Sequence, residues 1–188
     1  MAESKMKVKK ALDIFQGLKT DTVRRNTQRS AKWLANKIKL AGDKLTKASF
    51  PKIGGMYLYV YDAKYKDKLP YWDASPLVIP VKFERGGFAG LNFHYIPPQQ
   101  RMILLRLLGG MNTGKKNQIR ISYGKLLALS NTLWKFAYKR YLYSHLQSRL
   151  LEVKGDEWED AIMLPVANWQ GRSSSYVHSQ AKKYTQGK

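Results

Sequence analysis

The run GGMNTGKK at 109–116 comes closest to a phosphate-handling motif. It nearly matches G-x-x-x-x-G-K-[ST], in which backbone N–H groups cradle phosphates, the lysine reaches the β- and γ-phosphates, and a hydroxyl holds Mg²⁺. Position 116 is lysine, so that hydroxyl is missing. The segment before it reads as a helix capped by Gly109 and Gly110, where the motif needs a strand. The better reading is a helix end followed by a cationic loop, with Lys115, Lys116 and Arg120 gripping phosphate without cleaving it. A metal-dependent nuclease needs clustered carboxylates. Asp62, Asp67 and Asp73 fall in a Tyr-rich turn, and Glu84 ends a strand and is followed by Arg85-Gly86. Asp156, Glu157, Glu159 and Asp160 suit a helix N-terminus, where they complement the dipole. His94, His145 and His178 stand in no metal-ligand pattern and read as hydrogen-bonded structural residues. No serine has the G-x-S-x-G context of a hydrolase. The absence of cysteine excludes disulfides, thiolate catalysis and Cys-based zinc sites. The expectation is a protein that is not an enzyme and needs no metal or cofactor.

Binding chemistry remains, and charge dominates it. Thirty-four Lys and Arg against thirteen Asp and Glu give a net charge of +21 in 188 residues. Such a surplus works against the compact state. A polyanionic partner accounts for it best, and nucleic acid is the commonest, because each neutralised phosphate releases a condensed counterion. The plainer alternatives are a surface kept basic for solubility, or one that docks on an acidic protein or a membrane. The stretch KFAYKRYLYSHLQSR at 135–149 interleaves Lys135, Lys139, Arg140 and Arg149 with Phe136, Tyr138, Tyr141 and Tyr143. Exposed rings would stack bases while the cations hold phosphate. Equally, the rings are core on one face and the cations solvated on the other.

The elements that must position these residues divide the chain into three parts. Residues 1–55 carry a balance of +10, residues 56–171 of +7 and residues 172–188 of +4. Spacing over 7–18 and 28–45 predicts basic amphipathic helices, so 1–55 reads as a cationic helical arm. Arg24, Arg25, Arg29, Lys32, Lys37 and Lys39 are its DNA-binding candidates. The core, 56–170, reads as strands at 56–62, 76–84, 88–96, 150–153 and 162–169. Pro80 places the second strand at an edge or a bulge. Arg85-Gly86-Gly87 makes a hairpin turn. Helices are expected from Pro97-Pro98 to Gly109-Gly110, at 122–131, at 133–148, and briefly after a capping-box-like Asp156 and Glu159. Residues 171–188 read as a mobile basic tail contributing Lys182 and Lys183. The fold class is α+β: a small antiparallel sheet of about five strands, open or curled into a barrel, with helices to one side. No secretory signal is apparent at the N-terminus, and no stretch approaches the ~18 apolar residues of a membrane span.

Three segments together carry a family resemblance: YDAKYKDKLPYWDASPLVIPV at 61–81, GFAGLNFHYIPPQQR at 87–101 and KRYLYSHLQSRLL at 139–151, with EWEDAIMLPVANW at 157–169 following in order. Over roughly 54–170 the chain resembles the DNA end protectors of T-even-like tailed phages. The resemblance implies a minor, late virion protein of the head and neck, needing no cofactor. It would bind the ends of the packaged linear double-stranded DNA and, in the host cytoplasm after injection, shield them from the host exonuclease. The body of such a protein must block a nuclease channel and carry sequence-independent phosphate contacts. Tyr71-Trp72 is a candidate platform for stacking on the terminal base pair. Two other readings stand beside this one: a head-completion protein docking on the portal, and a general nucleic-acid-binding module without end preference.

Overall fold

The computed structural model describes residues 50–109, 118–128 and 133–186. The helices expected at 7–18 and 28–45, the six DNA-binding candidates of the arm, and Lys115 and Lys116 lie outside the described residues.

Period-2 alternation builds a sheet with two different faces. Its strands are β1 (Met56–Leu58), β3 (Leu77–Glu84), β4 (Gly87–Asn92), β5 (Tyr138–Leu142) and β6 (Leu151–Val153). They run antiparallel in the order β5-β4-β3-β1-β6, so β5 and β6 are the edges of an open sheet. A two-stranded ribbon, β2 (Trp72–Asp73) with β7 (Trp169–Gln170), stands apart from it. Met56, Leu58, Leu77, Ile79, Leu91 and Val153 fall on one face and form an apolar core. Tyr57, Val78, Phe88 and Tyr141 fall on the other and form an aromatic one with Tyr59 and Tyr61. The Tyr141 ring meets Tyr61 at 5.0 Å and Tyr59 at 5.5 Å, both edge-on, the arrangement that ring quadrupoles favour.

Helices cover the apolar face. They are α1 (Pro98–Gly109), α2 (Tyr123–Leu127), α3 (Leu133–Ala137) and α4 (Trp158–Met163). Leu104 and Leu108 of α1, Leu126 of α2, Trp134 of α3 and Ile162 of α4 enter the same core. The aromatic face is closed by loop 59–75 together with Leu146 and Leu150. Pro80 sits in a central strand, where the register shifts between Pro80 and Lys82. The bulge absorbs the missing N–H, and the Pro80 carbonyl accepts the Gly54 N–H at 2.8 Å. At the β3–β4 hairpin Gly86 holds φ at +73°, which other residues resist. A side chain on the next residue, Gly87, would run into the Tyr141 carbonyl of β5.

Four sequence expectations are corrected. Residues 133–148 are not one helix: α3 ends at Ala137 and the chain turns into β5. Tyr has modest helix and high strand propensity, and the outer edge of β4 would otherwise leave its backbone groups unpaired. Residues 162–169 add no strand to the sheet. Ile162 still belongs to α4, Pro165 has no N–H to offer a ladder, and only Trp169–Gln170 pairs, with β2. The helix start near Asp156 is closed by Glu157, whose carboxylate accepts the Lys154 N–H at 3.3 Å, and not by an Asp156–Glu159 box. Finally, the stretch after Gly171 is not a mobile tail. Ser174–Gln186 forms α5, with Val177 and Ala181 both fully buried. Spacing of i, i+4 puts those two on one face, and the Ser173 hydroxyl accepts the Tyr176 N–H at the first turn.

Candidate nucleic-acid interface

Edge strand β5, the Arg85-Gly86 hairpin tip and loop 61–73 enclose a groove of about 710 Å³ on the aromatic side of the sheet. Cations and rings line it together, notably Lys139, Arg140, Arg85, Tyr65, Tyr71 and Trp72. Alternation along β5 turns Lys139 and Tyr141 to the same face, since they are two residues apart. Tyr141 fills the aromatic core and Lys139 lies farther along. The Lys139 ammonium sits 4.4 Å from the centre of the Tyr95 ring and 5.3 Å from that of Phe136, a cation–π seat. Burial there pulls its pKa down to about 8. Among the described residues no carboxylate pairs with it. Arg140 is tied differently: its Nε lies 2.8 Å from Glu84 Oε2 and its Nη2 donates to the Arg85 carbonyl at 3.0 Å.

A buried polar network holds the groove wall. Asp73 Oδ1 accepts the N–H groups of Ser75 (3.0 Å) and Asn168 (3.2 Å). Its Oδ2 meets His94 Nδ1 at 2.7 Å and accepts from Asn92 Nδ2 at 3.1 Å. The Asn92 amide also donates to the Tyr141 hydroxyl at 3.1 Å, tying the network to β5. Burial raises the Asp73 pKa, but the charge and hydrogen bond of His94, with Asn92 and Ser75, outweigh it and hold the carboxyl below its usual range. Asp73 positions its neighbour Trp72 within β2. The histidines are hydrogen-bonded, as the sequence suggests: besides the His94–Asp73 contact, His145 Nδ1 lies 3.0 Å from the Asp62 carbonyl, and His178 Nε2 lies 3.0 Å from that of His94, docking α5. Arg101, which the sequence did not single out, is buried and donates to the carbonyls of Ile96 and Ile162. Desolvation lowers its pKa to about 10.

The structure therefore gathers four of the expected site residues, Lys139, Arg140, Tyr71 and Trp72, in one groove. Of the other expected site residues that are described, none lines it. Arg120 lines a separate hollow of about 370 Å³ beside Gln118 and Lys125. Arg149 is half-buried ahead of β6, and Lys182 and Lys183 are exposed on α5. Tyr71 is a wall and not a free platform, for its ring meets Tyr95, Trp169 and Tyr176 at 6.0–6.1 Å. Trp72 packs against the aromatic core. The rings of 135–149 divide likewise: Tyr141 is core, while Phe136, Tyr138 and Tyr143 are half-buried. Among the described rings that line the groove, the exposed one is Tyr65, 58% exposed, with the Lys64 ammonium 5.3 Å from its centre. Tyr65, Lys64 and Arg85 also line the groove, and their spacing among cations and rings is the signal in the sequence that marks them. Among the described residues no cluster of His, Asp and Glu could hold a metal ion, and no helix is long and apolar enough to cross a membrane.

A phosphate contact made by Lys139 needs its proton. As pH rises through about 8 the free-protein ammonium is lost, so DNA affinity should fall between pH 7 and 9. Lys139→Arg, which stays charged throughout, should flatten the profile. An unchanged profile in that variant would remove Lys139 from the interface. Titration of affinity at constant ionic strength provides the measurement.

Comparison with known proteins adds one match. The family model described as phage T4 terminal DNA protecting protein covers residues 7–185, which takes in both the segment before the sheet and α5 as well as the span where the resemblance was read. No curated protein matches the chain, and no solved structure does.

Proposed function

The chain belongs to the phage T4 terminal DNA protecting protein family, and on that premise we propose that it binds the ends of linear double-stranded DNA through the β5 groove and shields them from exonuclease. One observation carries the reading: a concave site where Lys139, Arg140 and Arg85 stand among rings, on a chain of net charge +21. A groove walled by Tyr71 and Trp72, with the Tyr65 ring open at its mouth, suits the frayed strand of a terminus, because aromatic contact between Tyr65 and an unstacked base contributes about 1–3 kcal/mol. The cations of 1–55, with Lys182 and Lys183, would then add sequence-independent attraction along the adjoining duplex. Protection follows as a steric consequence, since an exonuclease must thread the same terminus. In this reading the protein travels with the packaged DNA and acts in the host cytoplasm.

Competition binding tests it. Labelled linear duplex is challenged with closed circular DNA or unlabelled linear DNA of equal mass, at moderate salt. Circles should compete poorly, and the bound linear DNA should resist a processive exonuclease. Equal competition by circles would reduce the protein to a general DNA binder or leave its charge to a portal or neck protein.

A further inference from the structure

We propose that the β5 groove recognises the terminal phosphate monoester of a DNA strand, with Lys139 as the anion-binding group and the Tyr71–Trp72 wall beside the end nucleotide. The inference rests on the end-binding reading above and names the chemical feature of the end that is read.

Three observations converge on it. The first is an uncompensated cation. Lys139 lies against the face of Tyr95 and beside Phe136, and among the described residues no carboxylate reaches it. Among the described residues the one acid lining the groove, Asp73, is spent on Ser75, Asn168, Asn92 and His94. Removing an ammonium from water without a counter-ion is costly. A ligand anion at that position would relieve the cost, and rings in place of water around the pair would strengthen it.

The second is access. Lys139 is half-buried on the groove side of β5, whereas Lys64 and Arg85 are exposed at the mouth. An internal phosphate is held on the ridge of a continuous backbone and cannot pass beneath the rings without extruding its nucleotide, which costs several kcal/mol of unstacking. A strand terminus frays at far less cost. The groove volume of about 710 Å³ falls in the range of small-molecule sites and admits a nucleotide.

The third is charge. A phosphate monoester carries about −1.5 to −2 at pH 7, and an internal diester a single negative charge. Arg140 is already engaged by Glu84 and by the Arg85 carbonyl, so the second charge falls to Lys139 with Arg85 and Lys64 at the rim. The site would thus favour ends over internal phosphates by charge as well as by shape.

The experiment compares short duplexes that differ only at their ends: 5′-phosphate, 5′-hydroxyl after phosphatase treatment, or 3′-phosphate, each with closed circles as competitor. Loss of the terminal phosphate should weaken wild-type binding about tenfold, the scale of one charge-assisted hydrogen bond. The arm that shows the loss assigns the strand polarity. Lys139→Met should bind phosphorylated and hydroxyl ends alike. The wild-type comparison needs no variant, so a folding defect in Lys139→Met does not blunt the test. If wild-type protein binds phosphorylated and hydroxyl ends equally while circles still compete poorly, this inference fails and end binding stands. If circles compete as well as linear DNA, end binding fails and takes this inference with it.

Discussion

Replacing Asp73 by alanine should lower the unfolding free energy by about 3–5 kcal/mol, the range for breaking a buried hydrogen-bonded pair. Four donors lose their acceptor at once: the N–H groups of Ser75 and Asn168, the Asn92 amide and His94 Nδ1. Asp73 is only 3% exposed and His94 and Asn92 are fully buried, so water cannot take its place without opening the wall. For a domain of ordinary stability, about 5–15 kcal/mol, this is a large fraction. Urea titration measures it, with melting temperature as a second readout. Asp73→Asn keeps an oxygen for the two backbone donors and should fall between. The pH dependence has a fixed sign. Because the folded carboxyl titrates below the unfolded value of about 3.9, the unfolded chain binds the extra proton in acid. The stabilisation is therefore complete above about pH 4 and is lost as pH falls through the folded value. Asp73→Ala should flatten that acid limb. An alanine variant within about 1 kcal/mol of wild type would show that the network does not hold the groove wall.

The second large effect concerns the cations of residues 1–55. Converting Arg24, Arg25, Arg29, Lys32, Lys37 and Lys39 together to glutamine should reduce the dependence of log K on log salt by up to about 5, at about 0.9 for each phosphate that is no longer neutralised. Affinity for linear duplex should fall by several orders of magnitude at low salt, where counterion release is greatest. End preference should survive, because Lys139, Arg85 and the other described lining residues of the groove are unchanged. A slope within about 1 of wild type would mean that those six cations do not touch DNA. Loss of the preference for ends would mean that the arm, and not the groove, reads the terminus.

Much of this molecule is legible in the chain. The apolar, β-branched run LVIPV marks β3, alternation marks β4, Pro97-Pro98 and Gly109 bracket α1, and LEV marks β6, because each is a local signal read over one element. Pro80 marks an edge or a bulge for the same reason, since a missing N–H must be accommodated wherever it falls; β3 is central, and the bulge is what accommodates it. The errors share a different cause. Tyr138–Leu142 has spacing compatible with a helix, and only the open edge of β4, about fifty residues earlier in sequence, makes it a strand. Likewise the polar stretch after Gly171 folds because Val177 and Ala181 find a surface built by other segments. Local propensity cannot report a partner distant in sequence.

The candidate site divides along the same line. By itself the sequence determined the chemistry: a net charge of +21, cations interleaved with rings, no cysteine, and the segments that resemble a DNA end protector. Only the tertiary structure decided which of those cations share a surface. Strand β5 carries Lys139 and Arg140 to the loop that holds Tyr65, Tyr71 and Trp72, and the Asp73–His94–Asn92 network fixes that loop against the sheet. Charge is a sum over residues and survives any fold. A groove is a relation between segments far apart in the chain, and it exists only once the two faces of the sheet have been buried in opposite directions.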